Sequence, residues 1–194
     1  MSSIEAVKKL REKTGAGIVE VQKALVEANG DEEKAISLLK KRGEAKALKR
    51  TDREAEEGIV TTYVHSNARV GVMLTLLCET DFVARNDDFQ TLGRDLAMHI
   101  AALAPLYLAP EDVPAELVAK ERVIWEEQVK SEGKPAEIVE KILAGKEKKF
   151  REEIALLAQP FVKDPSKTVG ELITENIHKI GEKIQVGTFV RYEI

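Results

Sequence analysis

Apolar residues recur at every third or fourth position over much of the chain, the spacing of helices that bury one face. In the first 43 residues this spacing appears three times, interrupted at 14–17 and at Asn29-Gly30. The pattern predicts three short helices, with Asp31 as the N-cap of the third helix and Gly43 as its stop. Such a module has a marginal core of its own, so we expect a partner surface to support it. The apolar positions that mark its faces are Ile4, Val7, Leu10, Ile18, Val21, Leu25, Ala28, Ala35, Ile36 and Leu39.

After Gly58 the pattern changes to β-branched and aromatic residues, which favour strands. Residues 59–65 and 69–77 predict two strands joined by a short turn, hence an antiparallel hairpin. The second run is almost wholly apolar, which predicts a strand buried on both faces. A third run at 184–194 lies at the other end of the chain, and we expect it to close the same sheet.

Helical spacing returns between these strands. Residues 89–103 form one amphipathic stretch, and residues 115–131 and 135–157 form two longer ones. Gly133-Lys-Pro135 separates the longer stretches, because neither glycine nor proline continues a helix well. The pattern therefore predicts a helical hairpin at about 115–157.

The end of the chain completes an α+β prediction. Residues 159–165 predict a loop, and the apolar spacing from Val169 predicts a last helix that stops near Gly181. The fold class that follows is α+β, with a small antiparallel sheet packed with helices and a helical hairpin. The predicted domains are an N-terminal helical module at 1–45, a basic linker at 46–57 and a core domain at 58–194.

Composition narrows the class of protein. Of the 194 residues, 43% are hydrophobic and 33% are charged, and the formal net charge is −4. No apolar run approaches the ~20 residues of a membrane-spanning helix, so we expect no membrane partner. The near-neutral charge argues against a dedicated nucleic-acid site. The first residues lack the basic start and apolar stretch of a targeting segment, so we expect a cytoplasmic location.

Residues that could carry chemistry are few and scattered. The three histidines are far apart, and none has metal-ligand spacing to another candidate ligand. No phosphate-binding loop, dinucleotide fingerprint or nucleophile elbow is present. His99 lies near an apolar helix face and is expected to be structural, and the single cysteine, Cys78, is expected to be a buried thiol. We therefore expect no enzyme activity, no cofactor and no metal site.

A run of basic residues lies between the helical module and the first strand. It is either a solvated linker or a phosphate-contacting patch. No aromatic residue in it could stack on bases, which disfavours single-strand recognition. Its cations are Lys40, Lys41, Arg42, Lys46, Lys49, Arg50 and Arg53.

The segment Cys78-Glu-Thr-Asp-Phe-Val-Ala-Arg-Asn86 joins the apolar strand to the helix that follows it. A loop at the end of a central strand is a common place for function. In one interpretation Asp81 or Asp87 caps the helix and Phe82 packs into the core. In the other, Phe82 projects as an anchor for a partner pocket and Asp81 places a negative charge beside it.

Three blocks carry a resemblance to a known family. They are Val7-Lys-Lys-Leu-Arg-Glu-Lys-Thr-Gly-Ala-Gly17 with its continuation to Gly30, Cys78–Asn86, and the stretch from Gly133-Lys-Pro through Gln159-Pro-Phe-Val-Lys-Asp-Pro to Val169. In this order they resemble the elongation factor Ts family, the guanine-nucleotide exchange factors of translation elongation factor Tu. The resemblance covers nearly the whole chain.

The resemblance implies a mechanism and one contact segment, and the residues themselves suggest a second. It implies that the N-terminal module is a ubiquitin-associated-type three-helix bundle that binds the partner's nucleotide-binding domain. It also implies that the chain binds GDP-bound elongation factor Tu, disturbs its Mg²⁺ and phosphate site, and promotes GDP release. The segment implied to wedge near the Mg²⁺ is Thr80, Asp81, Phe82 and Val83. A second candidate contact, for which packing between helices is the alternative, is Gly15, Ala16, Gly17, Ile18 and Val19.

The chain departs from long members of this family, whose core is duplicated. Here one core block is present, and the resemblance then implies the short type, in which two copies pair. A small sheet with open edges also favours pairing, so we expect a homodimer, unless the partner itself covers the edge. The alternative function is an RNA-associated protein of the translation apparatus that uses the basic stretch.

Overall fold

The computed structural model describes residues 4–48, 50, 52–130 and 135–194. Its Cα positions divide into two compact units, residues 1–98 with 171–194 and residues 99–170. The class is α+β, as predicted. The helices are α1 (Ile4–Thr14), α2 (Ile18–Glu27), α3 (Glu32–Leu48), α4 (Asp81–Ala84), α5 (Asp87–Leu103), α6 (Ala115–Lys130), α7 (Ala136–Ile154) and α8 (Val169–Ile180). The strands are β1 (Glu57–Val64), β2 (Val70–Cys78), β3 (Pro160–Phe161), β4 (Asp164–Thr168) and β5 (Ile184–Glu193).

Helices α1, α2 and α3 surround one small apolar core, in which Leu10, Val21 and Leu25 are buried. Asp31 caps α3 as predicted, because its Oδ1 accepts the backbone N–H of Lys34 at 3.0 Å. The predicted stop at Gly43 is wrong, since α3 continues to Leu48. Gly43 instead faces α8, where an added Cβ would make an ordinary van der Waals contact at 3.7 Å from Cγ of His178.

Strands β1, β2 and β5 form one antiparallel sheet in the order β1-β2-β5, so the two ends of the chain's core meet as predicted. Thr61 pairs with Leu74, and Leu74 pairs with Phe189. The prediction that β2 is buried on both faces is wrong. Leu74 is fully buried but its neighbour Met73 is 51% exposed, and this alternation continues along the strand. Helix α5 covers one face, where a Cβ at Gly93 would lie 3.1 Å from Ile59 Cδ1.

The second unit contains the predicted helical hairpin of α6 and α7. Its core is built on Trp125, Val129 and Leu143, and the ring of Phe150 meets that of Trp125 edge-on at 5.7 Å. Helix α7 ends at Ile154, earlier than predicted. Gly133 and Lys134 of the predicted connector lie outside the described residues.

The predicted loop at 159–165 is also wrong, because this stretch contributes to a small antiparallel pair, β3 and β4. Phe161 is buried there, and Asp164 turns the chain by accepting from the hydroxyl of Ser166 at 2.6 Å. A pattern of alternation could not reveal them, because β3 has only two residues and β4 (Asp-Pro-Ser-Lys-Thr) has no buried apolar position. Within the described residues, no helix is long and apolar enough to cross a membrane.

Candidate functional site

The segment after β2 makes a single short turn of helix before the long helix α5 begins. Thr80 caps α4, with its hydroxyl accepting the N–H of Val83 at 3.4 Å. Asn86 caps α5, with Oδ1 accepting the N–H of Asp88 at 2.8 Å. The interpretation in which Asp81 or Asp87 is the cap is therefore wrong. Two caps within seven residues separate the two helices and leave α4 as a projecting turn.

Phe82 is the most prominent side chain on this turn. It is 80% exposed, whereas Phe89, seven positions later on α5, is fully buried. The interpretation in which Phe82 packs into the core is wrong. Large aromatic side chains are seldom left in water without a partner, because burying one removes a large apolar area from solvent. Phe82 is thus available to fill a pocket on another molecule.

Asp81 lies beside Phe82 and is half-exposed. Its carboxylate pairs with the guanidinium of Arg85 at 2.9 Å, one helical turn away. An exposed pair of this kind contributes little to stability, so the carboxylate can exchange Arg85 for another cation at small cost. Val83 is partly buried, and Ala84, the last residue of the turn, is buried.

Cys78 closes β2 directly under this turn. Its thiol is buried and donates to the carbonyl of Thr80 at 3.2 Å, as the prediction of a buried thiol requires. Burial, and then the negative charge of Glu182, raises the pKa of the thiol to about 11. The thiolate is the reactive form, so Cys78 reacts slowly at neutral pH while it stays buried.

Glu182 is the residue of this region that sequence reasoning missed. Its carboxylate accepts the N–H groups of Glu79 and Thr80 at 3.1 and 3.0 Å and the Thr80 hydroxyl at 2.7 Å. It lies in the connection between α8 and β5, more than 100 positions away from Thr80 in sequence. No local pattern marks it, because its partners are brought to it only by the pairing of β2 with β5.

The second candidate segment, residues 15–19, is divided between core and surface. Ala16 is buried in the helical module, and Gly15 adopts a left-handed backbone with φ of +65°. Gly17 is the N-cap of α2, and Ile18 and Val19 point outward from its first turn, with Val19 61% exposed. Ala16 packs between helices, and Ile18 and Val19 offer an apolar surface, so contact of this segment with a partner stays a prediction.

The basic stretch is largely engaged within its own unit. Lys40 pairs with Glu171 at 2.6 Å, and this hydrogen bond raises the pKa of its ammonium group. Arg42 pairs with Glu27, and Arg53 pairs with Glu79 at 3.0 Å. Lys49 lies outside the described residues. These ion pairs cancel much of the positive charge that a phosphate-contacting patch would need.

Among the residues that the structure describes, the other polar features do not converge on a substrate site. His99 is buried between protein partners, as a structural histidine is. Within the described residues, no group of three His, Cys, Asp or Glu side chains could hold a metal ion. A groove of about 480 Å³ between α1 and α8 is lined by side chains of both charges, among them Arg11, Glu12 and Lys179, and does not include Phe82.

Comparison with known proteins identifies the family of this chain. The family model described as "Elongation factor TS" matches residues 4–194. The chain is 52% identical over 192 residues to elongation factor Ts of Fervidobacterium nodosum, covering 99% of this chain and 98% of that one. It is 54% identical over 188 residues to that of Moorella thermoacetica, covering 97% and 93%. With this match over nearly its whole length, the chain belongs to the elongation factor Ts family.

Proposed function

We propose that this chain is the guanine-nucleotide exchange factor of translation elongation factor Tu. It binds the GDP-bound factor, disturbs the Mg²⁺ and phosphate site, and promotes release of GDP. Membership of the elongation factor Ts family supports the partner. The single observation that carries the proposal is the exposed Phe82 on its short turn, next to Asp81.

The chemistry of nucleotide binding explains why such a turn is sufficient. Backbone amides, a lysine and Mg²⁺ hold the phosphates of a bound nucleotide. An aromatic wedge that displaces the loops around the metal weakens these contacts without covalent chemistry. A thousandfold to hundred-thousandfold gain in release rate needs only about 4–7 kcal/mol. A buried aromatic anchor together with displaced hydrogen bonds is of that order. The chain then acts with no enzyme activity, cofactor or metal of its own.

The helical module of α1, α2 and α3 supplies a second contact. We assign it as a ubiquitin-associated-type bundle that binds the nucleotide-binding domain of elongation factor Tu. Ile18 and Val19 support this role, because they leave apolar area uncovered at the start of α2. Two separated contacts also explain how the exchange factor could remain bound while one part of its partner changes conformation.

The face of the sheet turned away from α5 supports the homodimer. We call it the outer sheet face. Met73 lies at its centre, between Thr62 and Val190, and Tyr192 is 71% exposed. A face this rich in exposed apolar side chains is unusual for a monomer in water, and a second copy would cover it symmetrically. Its exposed apolar members are Val60, Val64, Met73, Val190 and Tyr192.

The proposal is tested by release of fluorescent GDP from elongation factor Tu, measured with and without this chain in the presence of excess unlabelled GDP. We expect the rate to rise with chain concentration and to saturate. The coupling between the binding of GDP and the binding of this chain is reciprocal, so GDP in turn weakens the binding of this chain to the factor. Because the proposed function requires the chain to act together with elongation factor Tu, it implies a cytoplasmic location.

A rate that does not change would overturn the exchange function. Fluorescence titration with RNA serves as the comparison. A salt-sensitive RNA affinity stronger than that for elongation factor Tu would support the RNA-binding alternative instead.

A further inference from the structure

The turn that carries Phe82 is held from outside by a side chain that belongs to a distant part of the chain. Oε2 of Glu182 accepts two successive backbone N–H groups, those of Glu79 and Thr80. Its Oε1 accepts the hydroxyl of Thr80 at 2.7 Å. A carboxylate that accepts three hydrogen bonds forms a strong, directional contact, because each bond is charge-assisted.

Glu79, at the end of β2, makes the reciprocal contact to the start of β5. Its Oε1 accepts the backbone N–H of Lys183 at 2.6 Å, and Arg53 donates to Oε2 at 3.0 Å. Burial acts to raise the pKa of Glu79, but the bonds from Lys183 and Arg53 outweigh it, so the net pKa is lowered. We call Glu79 and Glu182 together the carboxylate clamp. It ties the end of β2 to the start of β5, beyond the pair Cys78–Ile184.

The clamp acts on Phe82 through Thr80. The Thr80 hydroxyl donates to Glu182 and accepts from Val83, so the same oxygen anchors both the clamp and the first turn of α4. A helix of four residues is far below the length that is stable by itself. Phe82 is exposed and has little packing of its own to fix its direction. Its orientation therefore depends on the contact between Thr80 and Glu182.

The clamp also reaches the linker that follows the helical module. Arg53 donates to Glu79 through its guanidinium, and its backbone carbonyl accepts the ammonium group of Lys183 at 2.8 Å. Arg53 of the basic stretch thus bonds to both ends of the clamp region, through its side chain and through its backbone. The linker and the projecting turn share one hydrogen-bonded network.

We infer that Glu182 is a positioning residue for nucleotide exchange: the carboxylate clamp holds Phe82 in the direction in which it enters the partner. This role rests on the proposed function. It acts by preorganisation, because a turn that samples many directions enters a pocket only in a fraction of its conformations. Loss of the clamp should then lower the rate of GDP release from the complex more than it lowers the binding of the chain.

The first arm of the test needs no partner and reports on the clamp alone. Alkylation of Cys78 by iodoacetamide requires local opening, since the thiol is buried and bonded to the carbonyl of Thr80. We expect Glu182→Ala to raise the alkylation rate at least about tenfold. Glu182→Gln also removes the charge that raises the thiol pKa, but it keeps an acceptor for the backbone N–H groups, so its rate should lie nearer the wild type. The difference between the Ala and Gln variants thus isolates opening from electrostatics.

A matched control comes from the other end of β5. Glu193 is exposed and pairs with Arg191 at 2.6 Å, and Glu193→Ala should leave Cys78 as slow to react as in the wild type. Equal alkylation rates for Glu182→Ala and the wild type would overturn the clamp. Urea unfolding of each variant fixes the conditions in which all of them are folded.

The second arm measures GDP release from elongation factor Tu across a range of chain concentrations. We expect Glu182→Ala to lower the saturating rate about tenfold or more, with a smaller change in the half-saturating concentration, and Glu182→Gln to restore most of the rate. If the wild type accelerates GDP release and Glu182→Ala accelerates it equally, the positioning role is overturned but the proposed function is not. A wild type that releases no GDP would overturn the proposed function and the positioning role with it, while the alkylation rates would still report whether the clamp exists.

Discussion

Nε2 of His99 lies 3.0 Å from Oε1 of Gln159, and both side chains are buried. Nδ1 of the same ring accepts the backbone N–H of Val162 at 3.2 Å, so the neutral ring carries its proton on Nε2 and donates it to Gln159. The amide of Gln159 then donates to the carbonyl of Glu153 at 2.7 Å. This chain of bonds links α5, the end of α7 and the two residues that flank β3, Gln159 and Val162, and it requires a neutral histidine.

The network predicts a pH dependence of stability. Burial lowers the pKa of His99 in the folded chain below its ordinary value of 6.5, although the bond to Gln159 acts in the opposite sense. The unfolded chain therefore binds this proton first as pH falls. The contribution of neutral His99 is complete above about pH 6.5 and is lost as pH falls from there toward the folded pKa, by up to about 1.4 kcal/mol per pH unit.

Urea unfolding at pH 7.5 and 5.5 checks this, with His99→Gln as a comparison that cannot take up the proton. We expect the free energy of unfolding to fall more steeply between the two pH values in the wild type than in the variant. All other residues are common to both proteins, so only position 99 can account for a difference between their slopes. Equal slopes would show that His99 does not carry the effect.

Phe82→Ala should separate function from stability. The side chain is largely in water, so its removal should change the free energy of unfolding by no more than about 0.5 kcal/mol. Loss of an aromatic anchor at the partner should cost about 2 kcal/mol, or roughly a thirtyfold slower GDP release. Leu106→Ala, which removes a side chain that is 64% exposed in the other unit, is the control and should leave release unchanged. Full exchange activity of folded Phe82→Ala would refute the wedge.

Met73→Glu tests the homodimer. The substitution places a carboxylate at the centre of the outer sheet face, and in a symmetric pair it would bury two like charges against apolar side chains. We expect light scattering at micromolar concentration to show a dimer for the wild type and a monomer for the variant, with unchanged circular dichroism. Val123→Glu introduces the same charge at an exposed position of α6 and should remain dimeric. A monomeric wild type, or a dimeric Met73→Glu, would contradict the interface.

Two glycines in helices should respond to substitution with opposite signs. At Gly93 on α5 a Cβ would lie 3.1 Å from Ile59 and 3.3 Å from Thr61, so Gly93→Val should overpack the contact with β1 and cost about 1–3 kcal/mol. At Gly145 on α7 the described residues place no atom within 4 Å of the added Cβ, apart from its chain neighbours and the backbone of its own helix. Gly145→Ala should therefore stabilise the chain by up to about 1 kcal/mol through helix propensity. Urea midpoints measure both, and a stabilising Gly93→Val would show that α5 does not rest closely on the sheet.

Local patterns predicted most of the elements, because helical and strand periodicities are properties of neighbouring residues. Two of the errors share one cause, which is that each depended on residues far away in sequence. The local pattern predicts a helix stop at Gly43, but α3 continues past it. The ring of His178 on α8 lies beside this position. The apolar sequence of β2 predicts a strand buried on both faces, but in the described structure helix α5 covers one face and the residues of the other are partly exposed.

The sequence by itself determined the α+β class, the helical hairpin, the three-stranded sheet and the family to which the chain belongs. It also indicated the segment 80–83, but it left open whether Phe82 faces the core or the solvent. Only the tertiary structure decided that, by placing Phe89 in the core and Phe82 in water. The physical reason is that the direction of a short turn is set by hydrogen bonds to Glu182, which lies 102 positions from Thr80 and meets it only after β2 and β5 have paired.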